Sequence, residues 1–290
     1  MKVNKIWFLI FLAPTVILFL LIYAIPLAIV FLTSFMSYRL ASPTITFAGI
    51  DNYVRLLSDQ HFYAALQNTI AWILIHCTLH IALGVSLALV LYKKPFGWKF
   101  VRTAYMIPNI IPNAAIGLIF LNIYNPQFGV LNAALRALGL EHLQRNWLMQ
   151  SATAFPAVTM IWLIFAGYTT ILVLAHALSI DDAVLEAAKI DGATNFRLDM
   201  MIMLPLLKKI VGTTTVMAAA YMLRMFDLIF VTTAGGPGRI TTNLPLYLYH
   251  VYMGEHNYGY ANTIGVVIIA LGILSMAVIN RAYGVNKEDY

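Results

Sequence analysis

Residues 186 to 192, Glu-Ala-Ala-Lys-Ile-Asp-Gly, followed by Ile202, Leu204 and Pro205, set an acid-bearing, alanine-faced segment between two long apolar runs. Its chemistry is recognition: Glu186 can meet an arginine on another surface, and alanines let two backbones approach closely. His76 and His80, four apart, share one helical face and could ligate a metal. No carboxylate or third histidine stands nearby in sequence to complete that site, so no metal is expected, and hydrogen bonding between helices or cavity lining is the other reading. Arg224 and Asp227, three apart, can pair along a helix. The chain has no His-Glu-x-x-His, no Gly-x-Ser-x-Gly and no Gly-x-x-x-x-Gly-Lys-Ser/Thr pattern. Hydrolytic chemistry and nucleotide binding are therefore not expected of it.

The elements that must position these residues are apolar. The chain has 290 residues, 61% of them hydrophobic and 10% charged, with a mean hydropathy of +0.80. Soluble domains carry roughly 25% charged residues, so this composition is that of a membrane protein in contact with lipid. A net charge of +6 does not point to nucleic acid, because the basic residues sit in short loops and form no single face. The lone cysteine, Cys77, excludes an intrachain disulfide.

Crossing a bilayer as helix takes about 20 apolar residues. Six runs qualify, near 7–34, 68–92, 103–123, 152–178, 206–231 and 261–281. The first exceeds the core of a signal peptide and reads as a retained span. An even number of spans puts both ends on one side. That side holds Lys2, Lys5, Lys93, Lys94, Lys99, Arg102, Lys189, Arg197, Lys208, Lys209, Arg281 and Lys287, against Arg39, Arg55, Arg136, Arg145 and Arg239 on the other. Positive loops stay in the cytoplasm, so both termini and the Glu186 loop are expected there.

Loops 38–67, 124–150 and 232–260, on the opposite side, are long enough to face a partner. Pro14, Pro26, Pro108, Pro112 and Pro156 each remove a backbone donor within a span. Pro108 and Pro112, beside Asn109 and Asn113, mark the third span as bent, either lining a cavity or kinked for packing. Arg224 lies roughly 27 Å along a helix from Leu206 at 1.5 Å per residue, near the edge of a core about 30 Å thick. It reads as an interfacial residue or as a group at the mouth of a cavity. Asn122, Tyr168, Tyr221, Arg224, Asp227 and Asn262 are the candidates for a solute path, with interface anchoring as the alternative for the tyrosines.

Ser179 and Asp182 fit a capping pattern, and acids at the start favour a helix running to Ile190. Asp182, Glu186 and Lys189 form one stripe, with Ala183, Val184, Ala187, Ala188 and Ile190 on the other side. Gly192 can take the left-handed turn that ends it. Such a helix is too short to stand alone in water, where roughly 12 to 15 residues are marginal, so it must rest on something. A protein groove, lipid headgroups and plain loop structure are the alternatives. The acids Asp181, Asp182, Glu186, Asp191 and Asp199 suit anionic lipid poorly.

The pattern at Glu186, Ala187, Ala188, Gly192, Ile202, Leu204 and Pro205 resembles the signature loop of permease subunits of binding-protein-dependent ABC importers. The resemblance extends along the chain to the carbohydrate-uptake branch, maltose-type first permease, through Ala13-Pro14, Asn68-Thr69, Arg102, Pro108, residues 128–132, Trp147-Leu148, Phe226-Asp227, Gly235-Gly236-Pro237, Thr242 and Gly259-Tyr260-Ala261. Asp181 and Asp199 depart from it, standing where proline and an aromatic are common. It implies an all-α integral membrane protein with six transmembrane helices and a short cytoplasmic coupling helix between spans four and five.

By the same resemblance, residues 1–63 form an N-terminal span and outer loop, 64–282 the permease domain with its coupling loop at 179–205, and 283–290 a cytoplasmic tail. Ser179, Asp182, Glu186, Ala187, Ala188, Asp191, Gly192 and Phe196 are the residues expected to dock an ATPase. The implied partners are a second permease subunit, two ATPase subunits and an extracytoplasmic solute-binding protein, in a bacterial or archaeal cytoplasmic membrane. The chain itself would bind no cofactor, ATP and Mg residing on the ATPases. A sugar or sugar-like solute is implied, glycerol phosphate remaining open. An ion-coupled secondary transporter and an intramembrane enzyme are the rivals; the first lacks a deep unpaired carboxylate and the second its motifs.

Overall fold

A computed structural model describes residues 5–40 and 44–285. Lys2, Lys287 and most of the tail 283–290 lie outside the described residues. The described chain is helical nearly throughout, with one antiparallel pair of two-residue strands, Met36–Ser37 and Thr46–Phe47. Among the described residues, four helices are long and apolar enough to cross a membrane: Ile10–Thr33, Gln60–Tyr92, Ala154–Ala177 and Tyr258–Tyr283. Two bent pairs, Trp98–Ile110 with Asn113–Ile123 and Phe196–Leu206 with Lys208–Met222, bring the number to six if each pair is one span.

The first bend has a local cause. Pro112 lacks an N–H and forces the residue before it out of the helical region. Ile111 is accordingly extended, at φ −77° and ψ 133°, and the third span turns through 102°. Asn109 and Asn113 flank that corner. The 70° bend between Phe196–Leu206 and Lys208–Met222 falls at Leu207, just after Pro205.

The run 206–231 reads in the sequence as one span, with Arg224 and Asp227 paired along it. In the structure the helix ends at Met222, and a new one, Asp227–Thr232, begins after a short break. The last turn tightens, with Arg224 and Met225 amides reaching back only three residues to Tyr221 and Met222. A side chain replaces the helical partner of the freed Met225 carbonyl: Asn243 Nδ2 donates to it at 2.5 Å. The two charged residues therefore stand on either side of a break, and the pairing does not form. Arg224 Nε instead bonds its own helix at the Ala220 carbonyl, 3.3 Å away.

The chain divides into two compact units, residues 1–62 with 247–270, and residues 63–246 with 271–290. In the first, the described side chains of the N-terminal span are almost all exposed, as befits a helix apolar on every face. At its end the Ser34 and Tyr53 hydroxyls share a hydrogen bond of 2.7 Å, and Asn52 Nδ2 donates to the Ser34 and Met36 carbonyls. Asn262, read as a solute-path candidate, donates to Thr33 Oγ1 at 2.7 Å and is spent on helix packing. Asp59 caps the second span and accepts from the hydroxyls of Tyr247 and Tyr260. Burial works against its charge, yet these hydroxyls and the Phe62 and His61 amides hold the carboxyl below its ordinary range.

In the second unit, small residues set the spacing of the helices. The second span and the segment Gly167–Ala177 pack closely at Gly84, where an added Cβ would lie 2.6 Å from Thr169 Cγ2, and Thr170 Oγ1 donates to the Gly84 carbonyl at 3.2 Å. Trp72 stacks on Phe155 and donates to Thr159 Oγ1 at 2.8 Å. Asn68 and Thr69, conspicuous in the sequence, pin a distant loop: Asn68 Nδ2 donates to the Thr242 carbonyl and Thr69 Oγ1 accepts from the Leu244 amide, both at 2.9 Å. Asn132 likewise ties the 124–150 loop, accepting from Trp147 Nε1 at 2.8 Å.

Candidate functional site

The site has two parts, an exposed loop and a cavity. The loop centres on the helix Asp182–Ile190. Its N-cap is Asp181, whose Oδ1 accepts from the Ala183 amide at 2.9 Å. Ser179, read as the capping residue, is instead spent on the preceding helix, its Oγ donating to the His176 carbonyl at 2.7 Å. Asp182 follows in the first turn, where its charge meets the positive end of the helix. At the other end Gly192 has φ +87°, and the Ala193 amide reaches the Ala188 carbonyl at 2.9 Å, closing the helix as a left-handed turn.

One residue of this helix holds it down. Leu185 is 3% exposed and belongs to an apolar cluster with Leu89, Leu91, Leu174, Met203 and Leu207. Burying such a side chain contributes about 1.5 to 3 kcal/mol, enough to anchor a helix too short to stand alone. Asp182, Glu186, Ala187, Asp191 and Gly192 remain exposed, with Ala188 half-buried. Large apolar side chains stand free beside them: Ile190 is 86% exposed and Phe196 71%. Asp199, counted in the sequence among the acids of the loop, is 7% exposed and paired with Lys93.

The cavity, of about 400 Å³, is lined by residues of the second, third, fourth and fifth spans. Of the six path candidates, Tyr168, Tyr221 and Arg224 line it, and Asn122, Asp227 and Asn262 do not. Asn122 is exposed and bonds its own helix at Leu118. The corner made by Pro112 contributes Pro108, Asn109 and Asn113, with Tyr221 Oη donating to Asn113 Oδ1 at 2.8 Å.

The second span contributes His76 and His80 from a π-helical turn, His76–His80, a distortion that often marks functional positions. The rings meet edge to face at 4.1 Å, and His80 Nδ1 lies 3.0 Å from the Leu163 carbonyl. No cluster of three metal-ligating side chains occurs among the described residues.

Two buried polar atoms of residues that line the cavity have no hydrogen-bond partner among the described residues, His76 Nδ1 and Trp162 Nε1. Their rings are 5.0 Å apart, and both residues are 5% exposed. A buried polar group without a partner costs free energy that a suitably placed ligand group recovers. The indole can only donate, whereas the imidazole nitrogen accepts or donates according to tautomer. A hydroxyl, being both donor and acceptor, can satisfy the two together. Trp162 and Leu185 carried no signal in the sequence, each being one more apolar residue in an apolar context.

An exposed short helix fixed by Leu185 and a cavity lined by residues of broken apolar helices make up the site. Residues 80–284 match the family described as binding-protein-dependent transport system inner membrane component, and the chain belongs to that family. A probable ABC transporter permease protein, YurN of Bacillus subtilis, is 32% identical over 290 residues, 99% of each chain. The sulfoquinovosyl glycerol permease SmoG of Agrobacterium fabrum is 33% identical over 274 residues, covering 93% of this chain and 88% of its own. The trehalose/maltose permease MalF of Thermococcus litoralis is 32% identical over 250 residues, 85% and 83% of the two chains. Among solved structures, a chain of a bacterial ABC transporter that imports the acidic polysaccharide alginate shares the fold, with a TM-score of 0.82, 23% identity and 96% of each chain covered. The family is one of transport components, not enzymes.

Proposed function

We propose that this chain is a permease subunit of an ATP-driven ABC importer, taking a sugar or sugar-like solute from an external binding protein into the cytoplasm. It pairs with a second, related permease and two ATPase subunits, which hold ATP and Mg. The termini and the 179–205 loop face the cytoplasm. The exposed helix Asp182–Ile190, fixed to the bundle through Leu185, carries this reading: it offers Glu186, Ile190 and Phe196 to a partner while its base moves with the spans. Closure of the two ATPases draws the paired docking helices together, and the spans convert that into opening toward the outside.

The solute class follows from the cavity and from the relatives, whose names include sugars and a sugar glycoside. Aromatic faces at Trp162, Phe165, Tyr168 and Tyr221 suit the apolar faces of a sugar ring, and the Trp162 and His76 nitrogens suit a hydroxyl. An ion-coupled transporter is not favoured, since no carboxylate lines the cavity among the described residues.

Trp162→Phe tests the path, because it keeps an aromatic ring and removes only the N–H donor. With the chain reconstituted beside its partners, and supplied with whichever mono- or disaccharide stabilises the binding protein in a thermal-shift screen, uptake falls about 2- to 10-fold, the range of one lost hydrogen bond. Unchanged uptake at equal insertion removes Trp162 from the path.

A further inference from the structure

Lys93 and Asp199 meet where the docking loop returns to the bundle. Lys93 follows the last residue of the second span, its amide bonded to the Val90 carbonyl, and the chain then turns sharply through Lys94 at φ +50°. Asp199 opens a π-helical turn, Asp199–Met203, nine residues past the end of the docking helix. Lys93 Nζ lies 2.5 Å from Asp199 Oδ2, and the two side chains are 49% and 10% exposed. The other carboxylate oxygen, Oδ1, is buried without a hydrogen-bond partner among the described residues.

Anchoring alone does not call for this arrangement. Leu185 already ties the docking helix to the apolar cluster, and Met203 and Leu207, both fully buried, tie the segment after it to the same cluster. A buried carboxylate with one oxygen unpaired is a poor way to add adhesion, because desolvation offsets its attraction. What an ion pair adds to apolar contact is register: a methyl group slides over its neighbours at little cost, whereas a buried charge does not leave its counter-charge. This pair joins residues 106 positions apart in sequence. It fixes the loop to the tip of the second span, the span that presents His76 and His80 to the cavity.

We propose that the Lys93–Asp199 pair is a positioning element for coupling, locking the second half of the docking loop to the second span so that displacement of the loop is delivered to the cavity. This rests on the docking role proposed for the loop. Neither residue is assigned contact with an ATPase or with solute.

The test uses the full complex in nanodiscs, reading two quantities for each variant: the amount of ATPase captured, and the ratio of ATP hydrolysis with and without the cognate binding protein. Lys93→Met and Asp199→Asn are each expected to retain captured ATPase and to lower that ratio about tenfold, within the usual range of coupling free energies. Lys93→Asp/Asp199→Lys, which restores the pair in reverse, recovers most of it. Lys93→Met/Asp199→Leu removes both charges and leaves no buried charge to unfold the loop, so it inserts and captures ATPase yet remains uncoupled. A ratio equal to that of the unaltered chain in this last variant, or a reversed pair no better than the single variants, overturns the proposal. If the unaltered chain captures no ATPase, the docking reading itself fails, and this one with it.

Discussion

Gly192→Val lowers captured ATPase and solute uptake by roughly 5- to 30-fold while the chain still inserts. The cause is conformational. Gly192 sits at φ +87°, and a Cβ built there meets nothing within 4 Å, so space is not the obstacle. A left-handed backbone costs an L residue about 1 to 2 kcal/mol, more when it is β-branched, and such energies correspond to factors of that size. The chain escapes the strain by giving up the turn that closes the docking helix, in which the Gly192 amide bonds Lys189 and the Ala193 amide bonds Ala188. Ile190 and Phe196 then lose their fixed relation to Glu186. Gly192→Asn is the control, because asparagine tolerates the left-handed region, and it retains most of the capture. Co-purification of the ATPase reads both variants; a valine variant that captures normally shows that docking does not depend on how this helix ends.

The second large effect is expected at Gly167, which opens the second half of the fourth span. A Cβ added there would lie 2.1 Å from the Tyr105 carbonyl oxygen and 2.6 Å from Asn109 Nδ2. The nearer atom is backbone, which no change of rotamer moves aside. Gly167→Ala must therefore push the third span from the fourth, and overpacking of this kind costs about 1 to 3 kcal/mol or more. The displaced elements carry Pro108, Asn109 and Tyr168, all in the cavity lining, so the path deforms along with the packing. The expected result is a fall of about 5 °C or more in the melting temperature in detergent, scaled from larger soluble domains, together with loss of uptake. Gly254→Ala, where an added Cβ meets nothing within 4 Å, leaves both unchanged. Equal behaviour of the two variants contradicts the close approach of the third and fourth spans.

The spans were legible because a bilayer demands long apolar runs, and the corner in the third span because a proline dictates both its own backbone and that of the residue before it. The helix Asp182–Ile190 was legible in outline for a similar reason, since acids, alanines and a terminal glycine act within a few residues of one another. Its exact start was not: Ser179 and Asp181 are both good caps, and the preceding helix, ending at Ala177, uses up the serine. The failure of Arg224 to pair with Asp227 was hidden because the break after Met222 is held by Asn243, 18 residues beyond the carbonyl it caps. The burial of Asp199 depended on Lys93, farther away still. Local chemistry is written in local sequence, whereas a polar group's partner across the fold is not. In the cavity, Tyr168, Tyr221 and Arg224 were singled out for polarity within an apolar span, but Trp162 resembles any core aromatic until its nitrogen is seen to lack a partner.

Photocrosslinking from Ile190, the most exposed apolar side chain of the docking helix, bears most directly on the claim that this helix is the lever for a separate ATPase. A photoreactive residue placed there in intact cells is expected to capture an ATPase subunit and to be inaccessible to reagents added outside. Capture of lipid alone, or labelling from the outside, would contradict both the docking role and the orientation assigned to the chain.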